Sequence, residues 1–248
     1  MFKKLKYRVK KEILAYLIFA TNSKLRFIVT QATFIGDGIV TSHYLPFLEP
    51  KTHSSFSSSF DHVPSRLKTL RDLEWRFEIL IWAMRSTQRV KGEVVELGVW
   101  YGILSKSLTS YFRESDNRKF YLYDSWGEAG FSMDGPYKKD NYKENIFDIV
   151  VKRFKDTNSV LVRGSLPKTL YTSLPQYISL LLIDLNSGKL ESDVLEICWP
   201  KIPLGGIVYF DDYGQNFPLI RQSIDKFVEN FCQNLLIFPT GQAILIKR

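Results

Sequence analysis

Residues 92–102 read GEVVELGVWYG. EVVEL, at 93–97, is a short run of strand length, and Gly98 and Gly102 punctuate the residues after it. A helical stretch is expected from about residue 102. The segment therefore reads as strand, glycine turn and helix start, the opening of a βα unit. In an open parallel sheet such a turn lies at the carboxyl end of its strand, where ligands bind. The turn is E-x-G-x-x-x-G from Glu96 to Gly102. It is neither the G-x-G-x-x-G of dinucleotide sites nor a P-loop. An acid here disfavours phosphate and suits a cationic or amine-bearing ligand, while the glycines serve close backbone approach or simple turn geometry.

The same alternation continues downstream. Strands are expected at 120–124 (FYLYD), 159–163 (SVLVR), 179–184 (SLLLID) and 206–211 (GIVYFD). The runs LLLID and IVYF are continuously apolar, as in parallel strands buried on both faces. Helices are expected near 102–113, 142–154, 167–173, 189–199 and 216–232. LLIF (235–238), a Pro239-Thr240-Gly241 turn and AILIK (243–247) close the chain as a hairpin. The expected fold class is α/β: a Rossmann-like, doubly wound, mostly parallel seven-stranded sheet with a C-terminal antiparallel β-hairpin and N-terminal helices. Upstream, a helix is expected from about Pro64 to Gln88, with Leu67, Leu70, Leu73, Trp75, Phe77, Ile81 and Met84 on its apolar side. Residues 31–60, with Gly36, Gly38, Pro46, Pro50 and a serine-rich run at 54–59, read as a loop-rich connector. The expected organisation is a basic helical arm and connector at 1–61, then a core at 62–248.

Strand ends are where chemistry would sit. The second strand ends at Asp124, which can accept hydrogen bonds from a ribose diol or cap the next helix. The third leads into Gly164-Ser165-Leu166-Pro167, where glycine and proline serve the turn and Ser165 can line a nucleoside pocket. The fourth ends at Asp184, with Asn186 two residues on, and the fifth at Asp211-Asp212. Three carboxylates converging at neighbouring strand ends repel one another unless a counter-charge is present. A hard cation such as Mg²⁺, which prefers oxygen ligands, would relieve them. The plainer reading caps a helix with Asp212 and pairs Asp211 with a lysine.

Charge and composition narrow the classes. The chain of 248 residues carries a formal net charge of +8. Residues 1–30 hold eight bases and one acid, whereas the remainder holds 26 bases and 25 acids. A near-neutral body with a basic arm does not resemble a nucleic-acid enzyme, whose positive charge covers its working face. Nucleic acid is therefore not an expected partner. The arm, with an apolar helical stripe at Val9, Ile13, Tyr16, Leu17 and Ala20, reads first as a helix packing on the body or on a second subunit. Its second reading is an interfacial helix on anionic lipid. Its apolar run of eight residues, ILAYLIFA, is too short to span a bilayer. Two cysteines, Cys198 and Cys232, support neither a disulfide scaffold nor a zinc site, which suggests a reducing, cytoplasmic compartment. The three histidines, His43, His53 and His62, all lie upstream of the strands.

Taken together, GEVVELGVWYG, FYLYDSW (120–126), GSLPKTL (164–170), LLIDLNS (181–187) and WPKIPLGGIVYFDDYG (199–214) resemble class I S-adenosylmethionine-dependent methyltransferases. Within them, the chain is similar to the macrocin O-methyltransferase (TylF-like) group. DLEWRFEILIWA (72–83) resembles the helix that precedes the cofactor turn in that group. The resemblance implies that Glu96, Gly98 and Gly102 cradle the methionine part of S-adenosylmethionine, Asp124 holds the ribose, and Gly164 and Ser165 border the adenine. It implies that Asp184, Asp211 and Asp212 hold a divalent metal such as Mg²⁺, and that the acceptor is a sugar-like hydroxyl. The chain departs from the group where Tyr101 and Ile103 replace an Arg and a Gly of the turn, and where Asn186 replaces an Asp.

The chemistry then expected is an in-line methyl transfer in which Asp184 takes the acceptor's proton as general base, with His62 and His43 as other candidates. Residues 126–142, rich in glycine and aromatic residues, read equally as an acceptor lid or as a loop anchored by its aromatic side chains. A second function class is a non-catalytic methyltransferase-fold scaffold. The retained acids and glycines weigh against it.

Overall fold

The computed structural model describes residues 50–64, 74–127, 146–214, 218–238 and 240–248. The basic arm, most of the expected connector, and all of the expected lid beyond Gly127 lie outside the described residues. The seven strands are β1 (Glu93–Leu97), β2 (Phe120–Asp124), β3 (Ser159–Arg163), β4 (Ile178–Ile183), β5 (Ile207–Phe210), β6 (Leu235–Ile237) and β7 (Ala243–Ile246). They form one sheet in the order β3-β2-β1-β4-β5-β7-β6. The first five are parallel, and β7 pairs antiparallel with both β5 and β6. Chain order reverses between β1 and β4, the point at which such sheets open a crevice.

Helices cover both faces. On one face lie α1 (Pro50–Ser58), α2 (Glu74–Ser86), α3 (Ile103–Tyr111) and α4 (Ile146–Phe154). On the other lie α5 (Leu170–Ser173), α6 (Gly188–Cys198) and α7 (Pro218–Asn230). Side chains alternate along the strands, so Val94, Leu180, Leu182 and Tyr209 join the first core and Val95, Leu181, Ile183 and Phe210 the second. Every residue of β4 is buried, which explains why its sequence shows no polar alternation.

The serine-rich stretch departs from the loop expected of it. Residues 50–58 are helical, and Ser54 and Ser58 donate to the carbonyls of Lys51 and Ser55 three residues back, at 3.1 and 2.9 Å. Serine favours turns over helix interiors, so local propensity does not account for α1. Phe56 does. It lies edge-on to Phe60 at 5.2 Å and stacks on Phe77 of α2 at 5.8 Å, fully buried. Arg153 of α4 fastens the end of the segment by donating to the carbonyls of Ser59 and Asp61, and its Nε donates to Tyr101 O at 3.0 Å. Burial pushes this guanidinium down to about 10, against the opposing charge of Asp61. The segment expected as a connector thus belongs, over 50–61, to the packed body. Among the described residues no helix is long and apolar enough to cross a membrane.

If α1 is held by Phe56, Phe56→Ala will lower unfolding stability by about 3–5 kcal/mol, the usual cost of emptying a buried aromatic site. Urea denaturation measures this, and a loss below about 1 kcal/mol would show that α1 contributes little to the core.

Candidate functional site

The sheet register aligns the strand ends. Leu97 pairs with both Tyr123 and Ile183, and Ile183 with Phe210. The next residue on each strand therefore emerges at the same level: Asp124, Gly98, Asp184 and Asp211. The ladder continues one step past the strands. Gly98 N donates to Tyr123 O at 2.9 Å, Asp184 N to Leu97 O at 2.9 Å, and Asp211 N to Ile183 O at 3.1 Å. Gly164 N donates to Asp124 O at 3.0 Å, which draws the third turn into the row. Residues spread over 116 positions of sequence, from Glu96 to Asp212, are brought to one edge by register.

The glycines make room for protein. A Cβ on Gly98 would lie 1.8 Å from the carbonyl oxygen of Asp184, and the residue's φ is +92°. A Cβ on Gly102 would meet the Phe154 ring at 2.5 Å, and one on Gly164 would meet the Thr169 methyl at 2.7 Å. Turn geometry and packing account for all three, so none by itself marks a ligand. Ser165 is exposed on the same turn.

Asp124 is buried, and both its oxygens accept main-chain protons: Oδ2 from Trp100 N at 2.7 Å and Oδ1 from Trp126 N at 2.8 Å. Its carboxylate therefore staples the turn after β1 to the turn after β2. Burial raises its pKa, and these hydrogen bonds oppose the rise. Around it, Trp126 Nε1 donates to Trp100 O at 2.7 Å, while Trp100 Nε1 is buried with no hydrogen-bond partner among the described residues.

Glu96 lies under the same crevice, buried, and accepts a hydrogen bond from Ser105 of α3. Burial pushes its carboxyl up to about 8, opposed by the Ser105 hydrogen bond and reinforced by the charges of Asp211 and Asp124. A cation arriving in the crevice would favour its ionised form.

Carboxylate oxygens of Asp184, Asp211 and Asp212 lie within 4.8 Å of one another. Asp211 and Asp212 are buried, and Asp184 keeps partial exposure. Asp211 is held on both sides, by the Tyr209 hydroxyl donating to Oδ1 at 2.7 Å and by Arg76 of α2 on Oδ2. Asn186 Nδ2 lies 3.3 Å from Asp184 Oδ1. Burial, the neighbouring Asp211 and Asp212, and more weakly Glu96, raise Asp184 well above the carboxylate range, with Arg76 opposing. Asp212 is pushed up to about 7 by burial and by Asp211, against Arg76 and a hydrogen bond with Asp184. The donor set is oxygen-only and surplus in acid even after Arg76 is counted, which fits a hard divalent cation.

Three contributors escaped sequence reading: Arg76, Tyr209 and Ser105. Tyr209 had a signal, since residues i and i+2 on a strand share a face and Asp211 follows it at that interval. Arg76 had none, being 135 residues from its partner. His62 is exposed, and His43 lies outside the described residues.

Gly98→Ala will cost roughly 3 kcal/mol or more, from the positive φ and the clash together, as read by thermal unfolding. For Glu96, the folded pKa of about 8 exceeds its ordinary 4.5, so the native state holds a proton that the unfolded chain releases. Its stability contribution is complete below about pH 4.5 and is lost as pH rises to about 8. Glu96→Gln, in chelator, will show a smaller stability loss than wild type between those limits. An equal loss would show that Glu96 titrates normally.

Residues 95–213 match the Methyltransf_24 family, described as a methyltransferase domain. No curated protein matches the sequence significantly. The fold is similar to that of the O-methyltransferase NovP, with a TM-score of 0.58 and 21% identity over 69% of this chain and 79% of that one. It is also similar to CalS11, a TDP-rhamnose 3'-O-methyltransferase of calicheamicin biosynthesis, at 0.54 and 20%, covering 83% and 96%. The SAH-bound methyltransferase PaMTH1 of Podospora anserina aligns at 0.52 and 14%, covering 92% and 97%. The region that matches the family model spans the row of strand ends from β1 to the turn after β5, and its fold is the doubly wound sheet of those methyltransferase structures.

Proposed function

We propose that the protein is an S-adenosylmethionine-dependent O-methyltransferase of the macrocin O-methyltransferase (TylF-like) kind. Its acceptor is a hydroxyl of a sugar or another small hydroxylated metabolite, and a divalent cation such as Mg²⁺ assists. The observation that carries the reading is the row itself, with Asp124 and Glu96 in the crevice at the chain-order reversal and the acid trio immediately beside them. S-adenosylmethionine would supply an electrophilic methyl on a sulfonium. The cation, held by Asp184, Asp211 and Asp212, would polarise the acceptor oxygen.

The chain's own residues divide the remaining work. Asp124 accepts from the ribose hydroxyls while fixing the two turns that flank the pocket. Glu96 places negative charge beneath the cationic cofactor. Gly98 and Gly102 keep the turn low, and Gly164 and Ser165 border the base. Asp184, the partly exposed member of the trio, is the group placed to take the acceptor proton on a carboxylate oxygen. Alignment of acceptor and methyl supplies much of the rate. That TDP-rhamnose is methylated by CalS11 supports a sugar-like acceptor here.

Calorimetric titration with S-adenosylmethionine and S-adenosylhomocysteine tests the cofactor. Binding is expected, with Asp124→Ala weaker by about tenfold or more, the worth of one charge-assisted hydrogen bond. No binding at about millimolar ligand would leave the fold as a non-catalytic scaffold. With labelled cofactor and a sugar panel, Asp184→Asn at saturating Mg²⁺ will lower kcat by about 100-fold or more. Full activity in chelator would remove the cation from the mechanism.

A further inference from the structure

Arg76 has no part in the proposed methyl transfer, yet it occupies the acid trio. Its guanidinium sits on Asp211 Oδ2, with 16% of the side chain exposed, and Tyr209 takes Asp211 Oδ1 at 2.7 Å. Asp211 is thereby engaged at both oxygens from the protein side. The guanidinium cannot shed its charge by deprotonation. A divalent ion bound to the trio would lie about 2.0–2.6 Å from its oxygen ligands. Those oxygens lie within 4.8 Å of one another, and one of the three carboxylates is the one that Arg76 grips. The ion and the guanidinium would then share one carboxylate in a poorly solvated place, where like charges repel strongly.

We infer that Arg76 is a tethered counter-cation that neutralises the Asp184–Asp211–Asp212 trio when no ion is bound and competes with a divalent ion for Asp211. Ion binding draws the guanidinium off Asp211 Oδ2. Arg76 therefore sets how tightly the ion is held, and it also lets the trio fold without one. This rests on the proposal that the trio binds a divalent cation at all.

Mn²⁺ alone is the probe, titrated calorimetrically into the full-length protein without cofactor or acceptor. Arg76→Gln is expected to bind Mn²⁺ at least about tenfold more tightly than wild type, a difference of about 1.4 kcal/mol. It is also expected to unfold at a lower temperature in chelator and to gain more thermal stability from Mn²⁺. Asp212→Asn, in either background, loses the binding, which locates it at the trio. Folded Arg76→Gln binding Mn²⁺ no more tightly than wild type would overturn the inference and leave the metal reading standing. No Mn²⁺ binding by any variant would overturn both. A measurement on the wild-type protein does not depend on the variant's folding: the Arg76 Nε–H resonance is expected to shift and lose solvent protection as Mg²⁺ is added. An unmoved resonance at saturating Mg²⁺ would also overturn the inference.

Discussion

The turn after β1 rests directly on the end of β4. Gly98 faces the carbonyl of Asp184 with no space for even a methyl group between them. Most of the site depends on that approach. It brings the crevice of Glu96 and Asp124 against the trio of Asp184, Asp211 and Asp212, so that a ligand held by the first group is presented to the second. Hydrogen bonds running from Gly98 to Tyr123, Asp184 to Leu97 and Asp211 to Ile183 carry the sheet one rung past its strands. The proposed chemistry would thus be mounted on the sheet edge rather than on long loops.

Concentrating acids at a buried edge is costly, and the protein meets that cost in three ways. Asp124 is satisfied by main-chain protons, Glu96 by a raised pKa and the Ser105 hydroxyl, and Asp211 by Tyr209 and Arg76. Asp184 and Asp212 are left with each other, Asn186 and a raised pKa. The two least satisfied carboxylates are thus among the three proposed to hold the cation, and one of them, Asp184, is proposed to meet the acceptor. This agrees with the general tendency of functional sites to hold strained electrostatics.

The sheet was legible in the sequence because parallel strands buried on both faces leave unbroken apolar runs, as in β4 and β5, while 93–97, 120–124 and 159–163 stood out as strand-length runs bounded by turns. Acids at the ends of the runs pointed to the edge where they meet. The glycines were legible as turns, but what they avoid, a carbonyl in one case and a Phe154 ring in another, is a tertiary fact. Arg76 was hidden because a polar residue between Trp75 and Phe77 on an amphipathic helix looks like solvent-facing surface, and its partner is remote in sequence. The serine run before Phe60 misled for the opposite reason: its composition is that of a loop, and Phe56 overrides it through its contacts with Phe60 and with Phe77 of α2. These losses are alike in kind, since each depends on a neighbour that no local pattern encodes.

The C-terminal hairpin reaches into the site. Gln242 Nε2 donates to Asp211 O at 3.3 Å, Gly214 N to Gly241 O at 2.6 Å, and β7 covers β5 along its length. During synthesis β5 emerges well before β7, so it is an unpaired edge until residues 243–246 arrive. The acid trio is consequently the last part of the sheet edge to be braced on the ribosome. A chain released before β7 would carry every proposed ligand but lack the Gln242 hydrogen bond to Asp211 and the ladder that covers β5.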